Sequence, residues 1–367
     1  MENELKKVIG EIRSLDAAAV EEATRRQAGL AKPPGSLGRL EDISIRLAGI
    51  TGKVKNTLEK KRIVVLSADN GVIEEGVSST PRSVTATQSV NMTRRLTGMS
   101  SIARHFGNEV TVVDVGIADE YECDEIVNRK IAPGTKNFYR EPAMTREQAL
   151  RAILVGVEQA EAAKKDGVDV LGVGEMGIGN TSTSSAVLCV LTGLSVEQVT
   201  GRGGGLTDEA FARKKEVISH AIELHKPDRD DVIDVLSKVG GFDIAAMCGG
   251  FIGSALTRRP VVIDGFISVV AALCAVRLCP NVRGYLVPSH ASYEIGYRLA
   301  MEALDLEPML LLGMRLGEGS GCPLAFQVLE AACAIMGHMA TFDQAGIDDG
   351  YLDEIREGDK FTVEAGV

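Results

Sequence analysis

The stretch VDVLGVGEMGIGNTSTSS, Val168 to Ser185, decides the fold. It opens on Val and Leu around Asp169, passes through four glycines and a second carboxylate, Glu175, and closes on Asn180 and a row of hydroxyls. An apolar run of this length reads as a buried strand, and the small polar residues after it read as a turn and a helix start. Similar runs recur at IVVLS (63–67), VTVVDV (110–115), PVVID (260–264), GYLVPS (284–289) and PMLLLG (308–313), each followed by helical sequence. Continuous Val, Ile and Leu runs separated by helices predict an α/β protein with a Rossmann-like parallel sheet covered by helices. After these strands come ADNG, GIAD, DGF, SHAS and MRLGEGSG. Ligands of such sheets bind at the carboxyl ends of the strands, so these loops would share one rim.

The composition narrows the partners. The chain has 367 residues, 45% of them hydrophobic and 25% charged, and a formal net charge of −11. That balance disfavours nucleic acid and anionic membranes as partners and leaves small molecules. Seven cysteines without a CxxC pair read as reduced thiols of a cytoplasmic protein. The five histidines are scattered, so no metal site and no cofactor are expected. The charged N-terminus MENELKKVIGEIRSLD is no signal peptide, and the apolar run Phe266 to Val276 is far short of the ~20 residues of a membrane span.

The individual motifs each have a plain alternative. GVGEMG (172–177) fits the dinucleotide pattern G-x-G-x-x-G, which makes a nicotinamide-dependent oxidoreductase the runner-up. Glu175 would repel a pyrophosphate there, however, and Glu197 lies in helix or linker rather than at a second strand tip. GIGNTSTSS offers a helix N-terminus, with Asn180, Thr181 and Ser182 as caps or as phosphate partners. TGRGGG (200–205) is a second flexible loop, followed by a helix bearing Lys214, which would ordinarily be solvated. Asp243, Asp264, His290 and Ser292 are rim candidates, His290 more often structural than catalytic. In RLGEGSG (315–321), Glu318 stands between glycines that permit positive φ and close approach of a ligand.

In order along the chain, KPPGSLGRLE, GVSSTPRSVTATQ, GEMGIGNTST, GRGGG, GGFDIAAM, DGFIS, SHAS and RLGEGSG resemble the nicotinate-nucleotide–dimethylbenzimidazole phosphoribosyltransferase family. The resemblance implies transfer of phosphoribose from nicotinate mononucleotide to 5,6-dimethylbenzimidazole or a related base, for assembly of the cobamide nucleotide loop. By position it implies Glu318 as general base and Glu175 as supporting acid, with Thr80, Gln88 and Leu316 around the base. Gly177, Lys214 and Ser292 would hold the mononucleotide, joined by Asn180, Thr181, Asp264 and Gly265. It implies a homodimer and a small helical domain from both chain ends, residues 1–30 with 325–367, beside an α/β domain of residues 31–324. The sequence departs from the family at Asn70, where histidine is often found, at Gly204, where threonine is common, and at Thr80, often a serine. It leaves open whether the base is a benzimidazole, a purine or a phenol, and whether the chain pairs with a homologous subunit.

Overall fold

The computed structural model of the protein describes residues 1–353. Six parallel strands form one sheet: β1 (Lys61–Ala68), β2 (Glu109–Gly116), β3 (Val127–Asn128), β4 (Val170–Met176), β5 (Val261–Ile263) and β6 (Leu286–Pro288). Their order is β3-β2-β1-β4-β5-β6, so the chain reverses its direction of winding between β1 and β4. That pair is the topological switch point, where doubly wound sheets open a crevice. β1 and β4 are paired from Lys61 with Val170 to Ser67 with Met176, which places Leu66 opposite Glu175.

Three expectations are corrected. Residues 308–313 form no strand; Leu310 makes one isolated bridge to His290, beyond the end of β6. With no second partner, Leu311 and Leu312 are exposed. β4 runs on through Met176, so Glu175 is a strand residue rather than part of a turn. The stretch 4–28, whose sequence reads as one polar amphipathic helix, is two, Glu2–Glu11 and Ala17–Ala28, because Asp16 starts the second by accepting from the Ala19 N–H at 3.0 Å.

The sheet is covered by helices whose sequence suits full burial. Phe242–Leu256 and Phe266–Leu278 are apolar on every side, and nearly all of their residues are buried. The first meets the helix Arg146–Lys165 backbone to backbone. A Cβ at Gly156 would strike the Ala246 carbonyl, and one at Gly249 the Ile153 carbonyl. This contact fixes the helix that begins at Phe242 and carries Asp243 in its first turn.

The chain divides into two compact units. The larger comprises Met1–Arg13 and Lys60–Ala325 and contains the sheet; among the described residues the smaller comprises Ser14–Glu59 and residues 326–353. Residues 1–13 thus lie in the sheet unit and 31–59 in the small one, unlike the expected division at residue 30. In the small unit Ala19, Ala23, Ala48 and Met336 share one apolar cluster, which draws in the helix Arg39–Thr51. Leu30 bridges Thr341, and Arg26 Nε donates to the Met336 carbonyl at 2.7 Å, so segments from both chain ends are tied together. The last part of the expected helical tail, residues 354–367, lies outside the described residues.

Candidate active site

Beside the switch point lies a cavity of about 290 Å³, close to the lower end of ordinary small-molecule pockets. Its walls include Thr80, Gln88, Glu175, Gly177, Asn180, Thr181, Gly265, Ser292, Leu316 and Glu318. Ten of the twelve expected site residues therefore meet in one place, although they are scattered over some 240 positions of sequence. Lys214 and Asp264 are not in its walls, and each is explained by what it touches.

Asp264 follows β5 and is buried, and both of its oxygens face the Arg315–Gly321 loop. Oδ2 accepts from the Gly319 N–H at 2.9 Å and Oδ1 from the Gly321 N–H at 2.7 Å. The side chain expected to bind the mononucleotide instead pins the loop that carries Glu318. Burial pushes its carboxyl up to about 7, against those N–H bonds. His290 Nδ1 lies 3.8 Å from Asp264 Oδ1, but burial lowers the imidazole to about 4, so it is neutral and makes no ion pair.

The pinned loop has a rare backbone. Gly317, Glu318 and Gly319 all have positive φ, at 79°, 65° and 88°. A non-glycine residue in that region is strained and persists where its surroundings over-determine it. The neighbouring glycines serve this fold: a Cβ on Gly317 would meet Glu175 Oε1 at 2.6 Å, and one on Gly319 would meet Ile63 Cγ2 at 3.0 Å. Gly319 thus faces the sheet, where a ligand was expected. The twist turns the Glu318 carboxylate into the cavity wall at 5% exposure, and its Oε2 accepts from the Met99 N–H at 3.2 Å. Met99 is in the first turn of the helix Gly98–His105, whose positive end favours an anion. Burial nevertheless raises the carboxyl above the ordinary glutamate range, opposed by Met99, Thr97 and Gln88.

Glu175 is 8% exposed and accepts from the Glu318 N–H at 3.2 Å and from Asn180 Nδ2. Burial first, and the Asp243 charge second, push its carboxyl up to about 8. Asn180 was expected to cap the following helix. Its side chain instead turns back between Glu175 and Asp243, and the helix Asn180–Thr192 starts at Gly179 with no side-chain cap. An uncapped helix start on a cavity wall can take an anion.

Lys214 is not the solvated helix lysine that its sequence context suggests. It is 1% exposed, and its Nζ donates to Thr181 Oγ1 at 2.9 Å and to the Gly201 carbonyl at 3.1 Å. Burial lowers its pKa to about 8, against the pull of Glu294. It therefore stands behind Thr181 and the Gly201–Gly205 loop, one hydroxyl away from the cavity. Two charged wall residues, Glu294 and Arg315, were not among the expected site residues. Only the adjacency of Glu294 to SHAS and of Arg315 to Leu316 could have suggested them.

The dinucleotide pattern does not form a phosphate turn. Gly172 and Gly174 are inside β4, and a Cβ on Gly174 would meet the Glu318 carbonyl at 2.6 Å, so this glycine admits the Glu318 loop. Among the described residues no group of three His, Cys, Asp or Glu side chains could hold a metal ion. The arrangement offers buried carboxylates toward one side and a buried ammonium with an uncapped helix start toward another.

The family profile described as phosphoribosyltransferase matches residues 12–347. The nicotinate-nucleotide–dimethylbenzimidazole phosphoribosyltransferase of Clostridium perfringens is 50% identical over 359 residues, 98% of this chain and 99% of that protein. The protein of the same name from Acetivibrio thermocellus is 51% identical over 324 residues, 88% of this chain and 92% of that one. The crystal structure of the Thermus thermophilus protein of that name superposes with a TM-score of 0.87 at 38% identity, over 92% of this chain and 100% of that one. The chain belongs to the nicotinate-nucleotide–dimethylbenzimidazole phosphoribosyltransferase family.

Proposed function

We propose that the protein transfers phosphoribose from nicotinate mononucleotide to 5,6-dimethylbenzimidazole or a related base, forming α-ribazole 5′-phosphate and nicotinate for the nucleotide loop of cobamides. The observation that carries this reading is Glu318, a carboxylate buried yet turned into a small cavity by a strained backbone. In the donor the ring nitrogen is a pyridinium, so it leaves as a neutral pyridine with the bond electrons. The attacking azole nitrogen becomes cationic unless its partner N–H loses a proton, and Glu318 is the base that takes it. Attack on the face opposite the departing pyridine inverts the anomeric carbon from β to α.

Glu175 is the second catalytic carboxylate, placed to stabilise positive charge at the anomeric carbon. Thr80, Gln88 and Leu316 surround the base, while Gly177, Thr181, Gly265 and Ser292 receive the mononucleotide, with Lys214 backing Thr181. Asn180 and Asp264 act through Glu175 and through the Glu318 loop. Purines or phenols in place of the benzimidazole would use the same machinery, with base choice set around Thr80.

The reading includes a homodimer. Leu316 lies over Gly98, the Tyr293 N–H donates to the Met314 carbonyl at 3.0 Å, and Leu96, Tyr293, Ile295, Leu311, Leu312 and Leu316 are all exposed, Leu311 by 83%. Large apolar side chains gathered beside a site favour a protein partner. It also places the protein in the cytoplasm, which suits seven free cysteines. No helix among the described residues is long and apolar enough to cross a membrane.

The test is incubation of purified protein with nicotinate mononucleotide and several bases in competition, in excess chelator. Formation of α-ribazole 5′-phosphate and nicotinate is expected. Failure to consume the donor with every base overturns the reading.

A further inference from the structure

Glu175 and Asp243 come from different elements, the end of β4 and the start of the helix Phe242–Leu256, yet one nitrogen holds both. Asn180 Nδ2 donates to Glu175 Oε2 and, at 3.0 Å, to Asp243 Oδ2. Asn180 Nδ2 is the atom turned toward both carboxyls, and a carboxyl oxygen accepts from it whether or not the pair holds a proton. All three side chains are buried, Asp243 completely. The space is closed as well: a Cβ at Gly177 would come within 2.5 Å of Asp243 Oδ2, and one at Gly241 would strike Oδ1.

The charged and polar groups facing this pair come from five places. From its own helix, the Ile244 N–H donates to Asp243 Oδ1 at 2.9 Å. From the end of β1, Asn70 adds an amide, which carries no charge, to Asp243. Asn180 opens the helix after β4. From the Arg315–Gly321 loop, the Glu318 N–H donates to Glu175, and from the end of β5, Asp264 contributes another negative charge. The groups that hold the pair are thus neutral donors, and two carboxylates on one nitrogen in a low-dielectric interior do not both ionise readily.

We propose that Asp243 is a positioning residue for the transfer: through Asn180 it aims Glu175 at the cavity, and in the free enzyme the pair holds one proton that the cationic ring of the donor displaces. This rests on nicotinate mononucleotide being the donor. No bond to carbon changes on binding; the proton leaves to solvent and the pyridinium takes its electrostatic place. Burial raises both carboxyls above the ordinary carboxylate range, so near neutral pH the pair as a whole keeps a proton. The proton is then available for release near pH 7, and it is already gone in the free enzyme well above that.

The experiment is isothermal titration calorimetry in buffers of different ionisation heat. The probes are nicotinate mononucleotide and its 1,4-dihydro form, which has the same phosphate and a neutral ring nitrogen. Lys214 and the phosphate respond alike to both, so the difference in proton count isolates the ring charge. Near pH 7 the oxidised donor is expected to release about half to one proton more than the reduced one, fading at about pH 9. In Asp243→Asn, which keeps the shape and removes the charge, that difference should fall several-fold. Should this variant fold poorly, the two-donor and two-pH comparison on the native enzyme decides by itself. Equal counts for both donors, or an oxidised donor whose release does not fade at high pH, overturn the inference. A difference that persists unchanged in Asp243→Asn overturns the role of Asp243. Turnover with equal counts leaves the functional reading standing, whereas no binding of nicotinate mononucleotide overturns both.

Discussion

Two glycine-rich loops, Arg315–Gly321 and Gly201–Gly205, border the same cavity and are held in opposite ways. The first is pressed against β4 and pinned by both oxygens of Asp264, with three successive residues at positive φ. The second also has positive φ, 58° at Gly203 and 118° at Gly205, yet a Cβ at Gly204 or Gly205 would meet nothing within 4 Å. It is tied to the interior through the Gly201 carbonyl, which accepts from Lys214, and through the Gly203 N–H, which donates to Glu294. Glycines in the first loop are demanded by contacts. In the second, Gly201 and Gly203 are held close to Glu294 and Thr181, while Gly204 and Gly205 leave open backbone. A rigid frame suits a base that must meet one proton, and an open one suits a phosphate that must enter and leave.

The largest break in that comparison comes from Glu318→Gln, which keeps the loop and removes the basic oxygen. The rate constant kcat with a benzimidazole should fall by roughly 10²–10⁴, about 3–5 kcal/mol, with donor affinity little changed. In the native enzyme, kcat/KM for the base should decline on the acid side. The fall occurs as pH drops through a Glu318 pKa lying above the ordinary glutamate value, since the working form is ionised. A loss under about tenfold in steady-state assays would make Glu318 a structural acid and Glu175 the leading base.

Of similar size to one another are the effects expected from Gly319→Ala and Lys214→Ala. Gly319 has φ 88°, and the added Cβ would press on Ile63 at 3.0 Å. Backbone strain of about 1–3 kcal/mol should appear as lost stability and a lower kcat. Thermal unfolding and kinetics that match the native protein would show that the loop yields.

Lys214→Ala tests the other side of the site. One charge-assisted contact is worth about 1.5–3 kcal/mol, so KM for nicotinate mononucleotide should rise roughly ten- to a hundredfold while KM for the base stays near its native value. Equal effects on both substrates would assign Lys214 to folding. The smallest effect is expected from Gly204→Ala, whose φ is ordinary and whose surroundings are open. Activity should change less than about twofold, with stability gained by about 0.4–1 kcal/mol from a less flexible unfolded chain. A large loss of donor affinity in this variant would show that the open loop needs its bare backbone against the phosphate.

Much of this site is legible in the sequence. β1, β2, β4, β5 and β6 were readable because each is an apolar run bounded by polar residues. β3, two residues long, has no such signature. The segment 308–313 has the composition of a strand but no neighbour on its far side to complete the pairing, and composition alone cannot report a missing neighbour. Ten of the twelve site residues line the cavity because strand-end loops converge wherever parallel strands share a sheet.

The sequence by itself determined the parallel sheet, the rim on which the loops gather and the family to which the chain belongs. Those follow from local hydrophobic pattern and from ordered motifs, which need no partner in space. The tertiary structure decided which face each polar side chain serves. It buried Lys214 behind Thr181, turned Asn180 from a cap into a bridge between two carboxylates, and gave both oxygens of Asp264 to the loop carrying Glu318. The physical reason is that a buried polar group takes its role from its hydrogen-bond partners and its desolvation, and both come from residues distant in the chain.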